Sequence, residues 1–151
     1  MAPSPFEIAA PIWASNWNVL ALVGKRPIEP NWPRWCKERQ PSEYINPYLN
    51  TQQSLNIGLP LGQNGLLAIE IDTDEPDQLK SILEALPPII VAKRGKRGLT
   101  AFYLTSGHGI ATRRLGLVEI LSHGTQTVIP PSIHPATGQP YVWVEPQALE
   151  V

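Results

Sequence analysis

The sequence is poor in cysteine, in net charge and in long apolar runs. With one cysteine, Cys36, among 151 residues, the chain can form no internal disulfide and no zinc site made of cysteines alone. The formal net charge of −1 gives no overall attraction to nucleic acid, so any such contact depends on a local basic patch. No apolar run reaches the roughly 18 residues of a membrane span, and residues 1–6 lack the charged and apolar segments of a signal peptide. These features favour a cytoplasmic protein that does not contact a membrane.

Proline is what the chain has in quantity. Its 17 prolines are about twice the usual share, and they predict many short elements joined by turns rather than long helices. The length and the 42% hydrophobic content fit one globular domain, residues 1–151. Helix-like segments at 6–15 and 76–86 alternate with strand-like ones, so we predict an α+β domain with a mostly antiparallel sheet.

The strand-like segments are short and are bounded by turn residues. They cover residues 17–23, 55–59, 66–72, 89–93, 99–105, 115–121, 127–129 and 141–144. We expect segments 55–59 and 66–72 to pair, because their short link ends in Asn64-Gly65, a dipeptide that favours positive φ. A further short helix is expected around residues 42–50, interrupted by Pro47.

Two carboxylates interrupt a strand that is otherwise apolar. Glu70 and Asp72 are two residues apart, so they share one face of the strand, where an unpaired buried charge would be costly. Glu119 interrupts segment 115–121 in the same way. Three carboxylates on two neighbouring strands would form an oxygen-rich site suited to Mg²⁺ or Mn²⁺, which polarises a phosphoryl group. The alternative, equally compatible with the spacing, is that each acid pairs with one of the 12 Lys and Arg residues.

A basic segment lies between two predicted strands. Residues 93–98 read Lys-Arg-Gly-Lys-Arg-Gly, which predicts a hairpin tip that concentrates positive charge. The glycines lack the spacing of a Walker loop. One interpretation is contact with a triphosphate or a nucleic-acid backbone, and the other is a solvated tip.

A proline-rich segment precedes the last predicted strand. Pro130 and Pro131 fix an extended approach, after which Ser132 and His134 can be presented from a loop. No serine has a recognisable base partner and no nucleophile elbow is present, so a Ser/His/Asp hydrolase is not indicated.

Taken in order, these segments resemble the bifunctional DNA primase/polymerase domain, the prim-pol branch of the archaeo-eukaryotic primase superfamily. The resemblance extends from about Trp17 to Trp143, and its most specific part is the ending Pro-Pro-Ser-x-His…Thr-Gly-x-x-Tyr-x-Trp. The other matching stretches are Lys25-Arg26-Pro27 with Trp32, Asn56-Ile57-Gly58 with Gly62, Glu70-Ile71-Asp72, and Glu119.

The resemblance implies a primase-like fold, in which an αβ unit packs on a mostly antiparallel sheet unit similar to an RNA-recognition motif. It implies that Glu70, Asp72 and Glu119 are catalytic and hold two divalent metals, Mg²⁺ or Mn²⁺, for nucleotidyl transfer in the cleft between the units. The substrates would be a DNA template or primer and nucleoside triphosphates, in replication of a plasmid, phage or mobile element. A helicase domain or protein is the expected partner.

The chain departs from the family at one position. The family usually has Gly-Gly-x-His before an aromatic strand, with the histidine on a nucleotide phosphate, and Thr100 stands in the histidine's place here. A threonine donates a hydrogen bond but carries no charge. The residues we expect to bind nucleotide phosphate are Lys93, Arg94, Lys96, Arg97, Thr100, Ser132 and His134. Two alternatives stay open: a catalytically inactive, primase-derived module that binds nucleotide or nucleic acid, and, less favoured, a metal-dependent phosphohydrolase that uses the same acids.

Overall fold

A computed structural model describes residues 2–106 and 110–144. Within these residues the chain has two α-helices, α1 (Pro5–Trp13) and α2 (Pro76–Ala85), which agrees with the predicted α+β class. Short 3₁₀ helices lie at Trp32–Cys36, Asn46–Tyr48 and Gln63–Gly65. The strands are β1 (Leu20–Val23), β2 (Arg26–Pro27), β3 (Asn56–Pro60), β4 (Leu66–Ile71), β5 (Val91–Arg94), β6 (Leu99–Leu104), β7 (Arg113–Leu115), β8 (Val118–Leu121), β9 (Gln126–Val128) and β10 (Val142–Val144).

These strands form two antiparallel sheets. The four-stranded sheet has the order β2-β1-β3-β9, and the six-stranded sheet has the order β10-β5-β6-β4-β8-β7. The expected pairing of segments 55–59 and 66–72 is wrong, because β3 belongs to the first sheet and β4 to the second. Their link does contain the expected positive φ angles, 48° at Asn64 and 76° at Gly65, but it carries the chain from one sheet to the other.

Two further segments differ from expectation. Segment 115–121 is not one strand but a hairpin of β7 and β8, because Gly116 has a φ of 63° and reverses the chain there. The helix expected at 42–50 is reduced to the 3₁₀ turn Asn46–Tyr48, where Pro47 lacks the N–H that an α-helix would need.

Strand β4 separates two apolar cores. Leu67, Ile69 and Ile71 point to one face, where they pack with side chains of α2. Leu66 and Ala68 point to the other face, where they join a core shared with α1 and the four-stranded sheet. The alternation of a strand therefore gives the six-stranded sheet a helix on one face and a second sheet on the other.

Buried amides replace missing strand partners at the start of β1. The side chain of Gln40 accepts a hydrogen bond from Val19 N (2.9 Å) and donates one to Val19 O (2.8 Å). Asn18 Nδ2 donates to the carbonyls of Trp35 (2.8 Å) and Glu38 (2.6 Å). These bonds fix the segment that follows β2, which contains no strand of its own.

Among the described residues, none of the helices has the length and the apolar content needed to cross a bilayer.

We predict that Asn18→Ala lowers the free energy of unfolding by about 3 kcal/mol, because it removes a buried hydrogen-bond hub and leaves several backbone groups unpaired. The exposed Asn16 is the matched control, and Asn16→Ala should change stability by less than about 0.5 kcal/mol. Urea unfolding measures both changes. Equal effects of the two substitutions would contradict the role given to Asn18.

Candidate functional site

The register of the six-stranded sheet places the candidate residues in one row. Glu70 on β4 lies opposite Thr100 on β6 and opposite Glu119 on β8. Lys93 on β5 lies opposite Thr100 in turn. Residues directly opposite each other share a face of an antiparallel sheet. The row therefore lies on the face turned away from α2, since the neighbouring positions of β4 pack against that helix.

Asp72 follows β4 on the same face, and arginines surround it. The Nη2 of Arg97 lies 2.7 Å from Asp72 Oδ1, and the Nη2 of Arg114 lies 3.5 Å from Asp72 Oδ2. Arg114 also reaches Glu119, with 3.6 Å between Nη1 and Oε1. Both arginine side chains are more than half exposed, so each ion pair contributes little stability.

The three acids therefore differ in their partners. Asp72 and Glu119 follow the salt-bridge alternative, whereas Glu70 has no hydrogen bond or salt bridge within the described part of the chain. By type, these carboxylates are the hard oxygen donors that Mg²⁺ and Mn²⁺ prefer. In residues 2–106 and 110–144, however, no group of three or more His, Cys, Asp or Glu side chains is arranged to hold a metal ion. The donor chemistry fits a divalent metal, and arginines provide the counter-charge in this arrangement.

Three members of this row, Glu70, Thr100 and Lys93, line a cavity of about 480 Å³ to which both sheets contribute, and Glu119 lies outside that lining. Glu70 and Asp72 lie on one side of it, and Lys93, Lys96 and Arg97 contribute positive charge. The four-stranded sheet contributes strand β9 and the turn between β1 and β2, which contains Lys25. A cavity lined by both acids and cations can bind a ligand that carries both metal ions and phosphate groups.

Lys93 is buried inside this cavity wall rather than solvated at a hairpin tip. Only 5% of the residue is exposed. Its ammonium donates to the carbonyl of Val128 on β9 and lies 5.0 Å from the centre of the Tyr141 ring. Burial lowers the pKa of Lys93 to about 7; the charge of Lys25 acts in the same direction, and that of Glu70 opposes it.

His134 lines the same cavity and is buried. Its Nδ1 accepts a hydrogen bond from Ala136 N at 3.0 Å, which leaves Nε2 as the protonated nitrogen of the neutral ring. The ring stacks on Tyr141 with 5.1 Å between centroids. Burial lowers the pKa of His134, and Lys25, Lys96 and Lys93 lower it further. The side chain is therefore a neutral donor at pH 7 and adds no positive charge to the cavity.

Two of the expected phosphate ligands lie away from the cavity lining. Ser132 is fully buried, and its hydroxyl accepts from Ile57 N (2.8 Å) and donates to Ile57 O (3.1 Å), so both its bonds belong to the sheet. Arg94 donates through Nε to the carbonyl of Gly98 at 3.3 Å. Of the remaining candidates, the lining contains Lys93, Lys96, Arg97, Thr100 and His134.

The basic hairpin is held against the acidic strand by its backbone. Gly98 N donates to Asp74 Oδ1 at 2.9 Å. Gly98 has a φ of 65°, and a Cβ there would collide with the carbonyl oxygen of Ile71. Only glycine allows this approach, and it holds the tip where Arg97 reaches Asp72.

Asn56 and Ser132 support the opposite wall from outside the cavity lining. Asn56 Nδ2 donates to the carbonyls of Gly24 and Ile133, both at 2.9 Å, and its Oδ1 accepts from Ile133 N at 3.0 Å. It thereby ties the turn that contains Lys25 to the loop that contains His134. The Asn-Ile-Gly and Pro-Pro-Ser stretches of the resemblance therefore have an architectural role here.

Sequence reasoning missed three residues of the site. Arg114 is not predicted as a site residue, because the sequence predicts segment 115–121 as one strand. In the structure, β7 pairs with β8 and places Arg114 opposite Glu119. Lys25 and Tyr141 both stand in stretches that carry the resemblance, yet only the fold brings them to the cavity.

A second cavity, of about 540 Å³, is lined by aromatic and aliphatic side chains that include Trp13, Phe102 and Trp143. Its lining residues carry no formal charge, so it is not suited to a triphosphate.

We predict that Lys93 makes the free energy of unfolding rise with pH between about 7 and 10. Its pKa is about 7 in the folded chain, against the 10.5 of an ordinary lysine, so the unfolded chain binds more protons in this window. The rise attributable to Lys93 is at most about 1.4 kcal/mol per pH unit.

Urea unfolding at pH 7.5, 8.5 and 9.5 checks this prediction. Lys93→Met should flatten the dependence, whereas Lys80→Met, which removes a lysine of α2 on the far side of the sheet, should leave it as in the wild type. An unchanged slope in Lys93→Met would show that the ammonium is not desolvated.

Comparison with known proteins gives one family. No curated protein matches the chain. A family model described as bifunctional DNA primase/polymerase, N-terminal, matches residues 9–151. Because this match includes almost the whole sequence, the chain belongs to the family of bifunctional DNA primase/polymerase N-terminal domains.

Proposed function

We propose that this protein catalyses template-directed nucleotidyl transfer as a DNA primase/polymerase. In that reaction a hydroxyl of a primer or initiating nucleotide attacks the α-phosphorus of a nucleoside triphosphate. The new P–O bond forms as the bond to pyrophosphate breaks, and the hydroxyl loses its proton. The observation that carries the proposal is the register pairing of Glu70 with Glu119, together with a cavity that Glu70, Asp72 and several cations line.

The acids have the chemistry that such a reaction needs. Glu70, Asp72 and Glu119 would hold the Mg²⁺ or Mn²⁺ ions on which the family typically depends. Such ions, when bound, polarise the phosphoryl group and neutralise charge that develops on its oxygens. Within the chain itself, Arg97 contacts Asp72, and Arg114 contacts Asp72 and Glu119.

The cavity also has the chemistry to bind a triphosphate. Lys93, Lys96 and Arg97 supply positive charge, and the hydroxyl of Thr100 can donate one hydrogen bond in the row next to Glu70. His134 adds a neutral N–H donor. Arg97 contacts Asp72 and lines the same cavity, so it is placed to change from a carboxylate partner to a phosphate partner.

The proposal includes the finer description of the fold and of the partners. The six-stranded sheet with α2 would be the unit similar to an RNA-recognition motif, and the four-stranded sheet with α1 would be the αβ unit of a primase-like fold. Residues 1–151 would act as one domain on a DNA template, a primer and nucleoside triphosphates. The setting would be replication of a plasmid, phage or mobile element, with a helicase as partner.

A second candidate is a primase-derived module that binds nucleotide or nucleic acid without catalysis. Two observations favour it: Thr100 stands where the family usually has histidine, and two of the three acids have arginine partners. The phosphohydrolase alternative uses the same acids and is separated from both by its product.

We expect the purified protein to extend a primed DNA template with labelled nucleotides in the presence of Mn²⁺. Asp72→Asn should lower kcat at least about a hundredfold, because it removes one charge from the acidic group that would neutralise the transferred phosphate through metal ions. The matched control is Asp77→Asn, the same change in the first turn of α2, which should keep activity within about twofold of the wild type.

The products distinguish the candidates. Retained nucleotide binding without incorporation would support the non-catalytic module, and phosphate release without extension would support the phosphohydrolase. Full activity in Asp72→Asn would refute the assignment of this acid.

A further inference from the structure

Two lysines face the same cavity from different sheets. Lys93 comes from β5 of the six-stranded sheet, and Lys25 comes from the turn between β1 and β2 of the four-stranded sheet. Both lysines line this cavity together with Glu70. Glu70 attracts the charge of Lys93, and the charge of Lys25 repels it. An anion between two like charges removes this repulsion.

The backbone next to each lysine is fixed. Gln126 Nε2 on β9 donates to the carbonyl of Lys25 at 2.9 Å, and Asn56 Nδ2 donates to that of Gly24. Lys93 is held in the β5–β6 ladder and reaches across to Val128 on the other sheet. The distance between the two chain positions is therefore set by the packing of the sheets.

Most other cations near the cavity already have partners. Arg97 contacts Asp72, Arg114 contacts Asp72 and Glu119, and Arg94 donates to a carbonyl outside the cavity. Lys25, Lys93 and Lys96 have no salt bridge among the described residues. Lys96 is exposed at the hairpin tip, whereas Lys93 is one of the buried polar residues.

The ammonium of Lys93 has unused donor capacity. An ammonium group has three N–H donors, and the described contacts of Lys93 use a carbonyl, that of Val128, and the face of Tyr141. A buried charge of this kind is costly unless it is paired, and Glu70 attracts it without forming a salt bridge. The cavity side of the group is where an anionic partner can bind.

We propose that Lys25 and Lys93 form a clamp for the polyphosphate chain of a nucleotide, with one lysine supplied by each sheet. The clamp takes over the positive charge that Thr100, opposite Lys93 in the sheet, cannot provide. The choice of a nucleotide as the ligand rests on the proposed function, whereas the clamp itself rests on the geometry. A bound polyphosphate would then connect the two sheets through charge-assisted hydrogen bonds.

Binding of inorganic tripolyphosphate and of dATP, measured calorimetrically without metal ions, tests the clamp. We expect Lys25→Met and Lys93→Met each to raise the Kd for both ligands about tenfold or more, since each removes a charge-assisted contact. Lys96→Met at the tip should raise the Kd less than about threefold, and Lys80→Met on α2 should leave it unchanged. Circular dichroism and urea unfolding confirm that each variant is folded.

A second substitution at the buried position keeps the test decisive. Lys93→Arg retains the charge, so a folded Lys93→Arg protein should bind tripolyphosphate more tightly than Lys93→Met. Equal Kd values for the two variants would show that the site does not use this charge.

Several results would overturn the clamp. These are an unchanged Kd in Lys25→Met or Lys93→Met, a larger effect of Lys96→Met than of either, and no binding of tripolyphosphate to the folded wild type. If the Lys25→Met and Lys93→Met variants lost only the binding of single-stranded oligonucleotides and still bound tripolyphosphate, the lysines would contact DNA phosphodiesters. This result would also overturn the clamp.

The clamp and the proposed function fail in different ways. If the wild type binds tripolyphosphate through both lysines but does not extend a primer, the clamp is supported and the polymerase assignment is refuted. If the wild type extends primers and the lysine variants bind tripolyphosphate as tightly as it does, only the clamp is refuted.

Discussion

The register of strand β4 is the constraint on which the candidate site depends. Its residues alternate between two buried cores, so a shift by one position would turn Ile69 and Ile71 into the cavity and the acids toward α2. Apolar packing on both faces therefore fixes where Glu70 points. The neighbouring strands follow that register, and Glu119 and Thr100 are brought to Glu70 as a result.

Charge in the cavity is arranged at the expense of local stability. Asp72 and Glu119 are compensated by arginines that stay more than half exposed, which costs little desolvation. Lys93 is the opposite case, because a buried ammonium next to one carbonyl and one ring loses much of its hydration. Folded proteins tolerate such groups where binding requires them, and the burial of Lys93 therefore distinguishes it from the solvated lysines of the surface.

Local sequence pattern was sufficient for much of this architecture. The apolar alternation and turn residues located β4, β6 and α2 closely, and the acids were expected on neighbouring strands, as β4 and β8 are. Long-range information was missing where prediction failed. Whether β3 pairs with β4 depends on partners distant in sequence, and whether Lys93 is solvated depends on Val128 and Tyr141, which close over it from other elements. Charge and composition alone predict neither the strand pairing of β3 nor the burial of Lys93.

The hydroxyl of Ser132 takes the place of a neighbouring strand's backbone at Ile57 of β3, because it bonds to both the N–H and the carbonyl of that residue. A Ser132→Ala substitution would remove both bonds and deform the wall that contains His134, so a loss of ligand binding would resemble the loss of a phosphate ligand. Inactivation at this serine is evidence about scaffolding, and thermal denaturation separates it from an effect on chemistry.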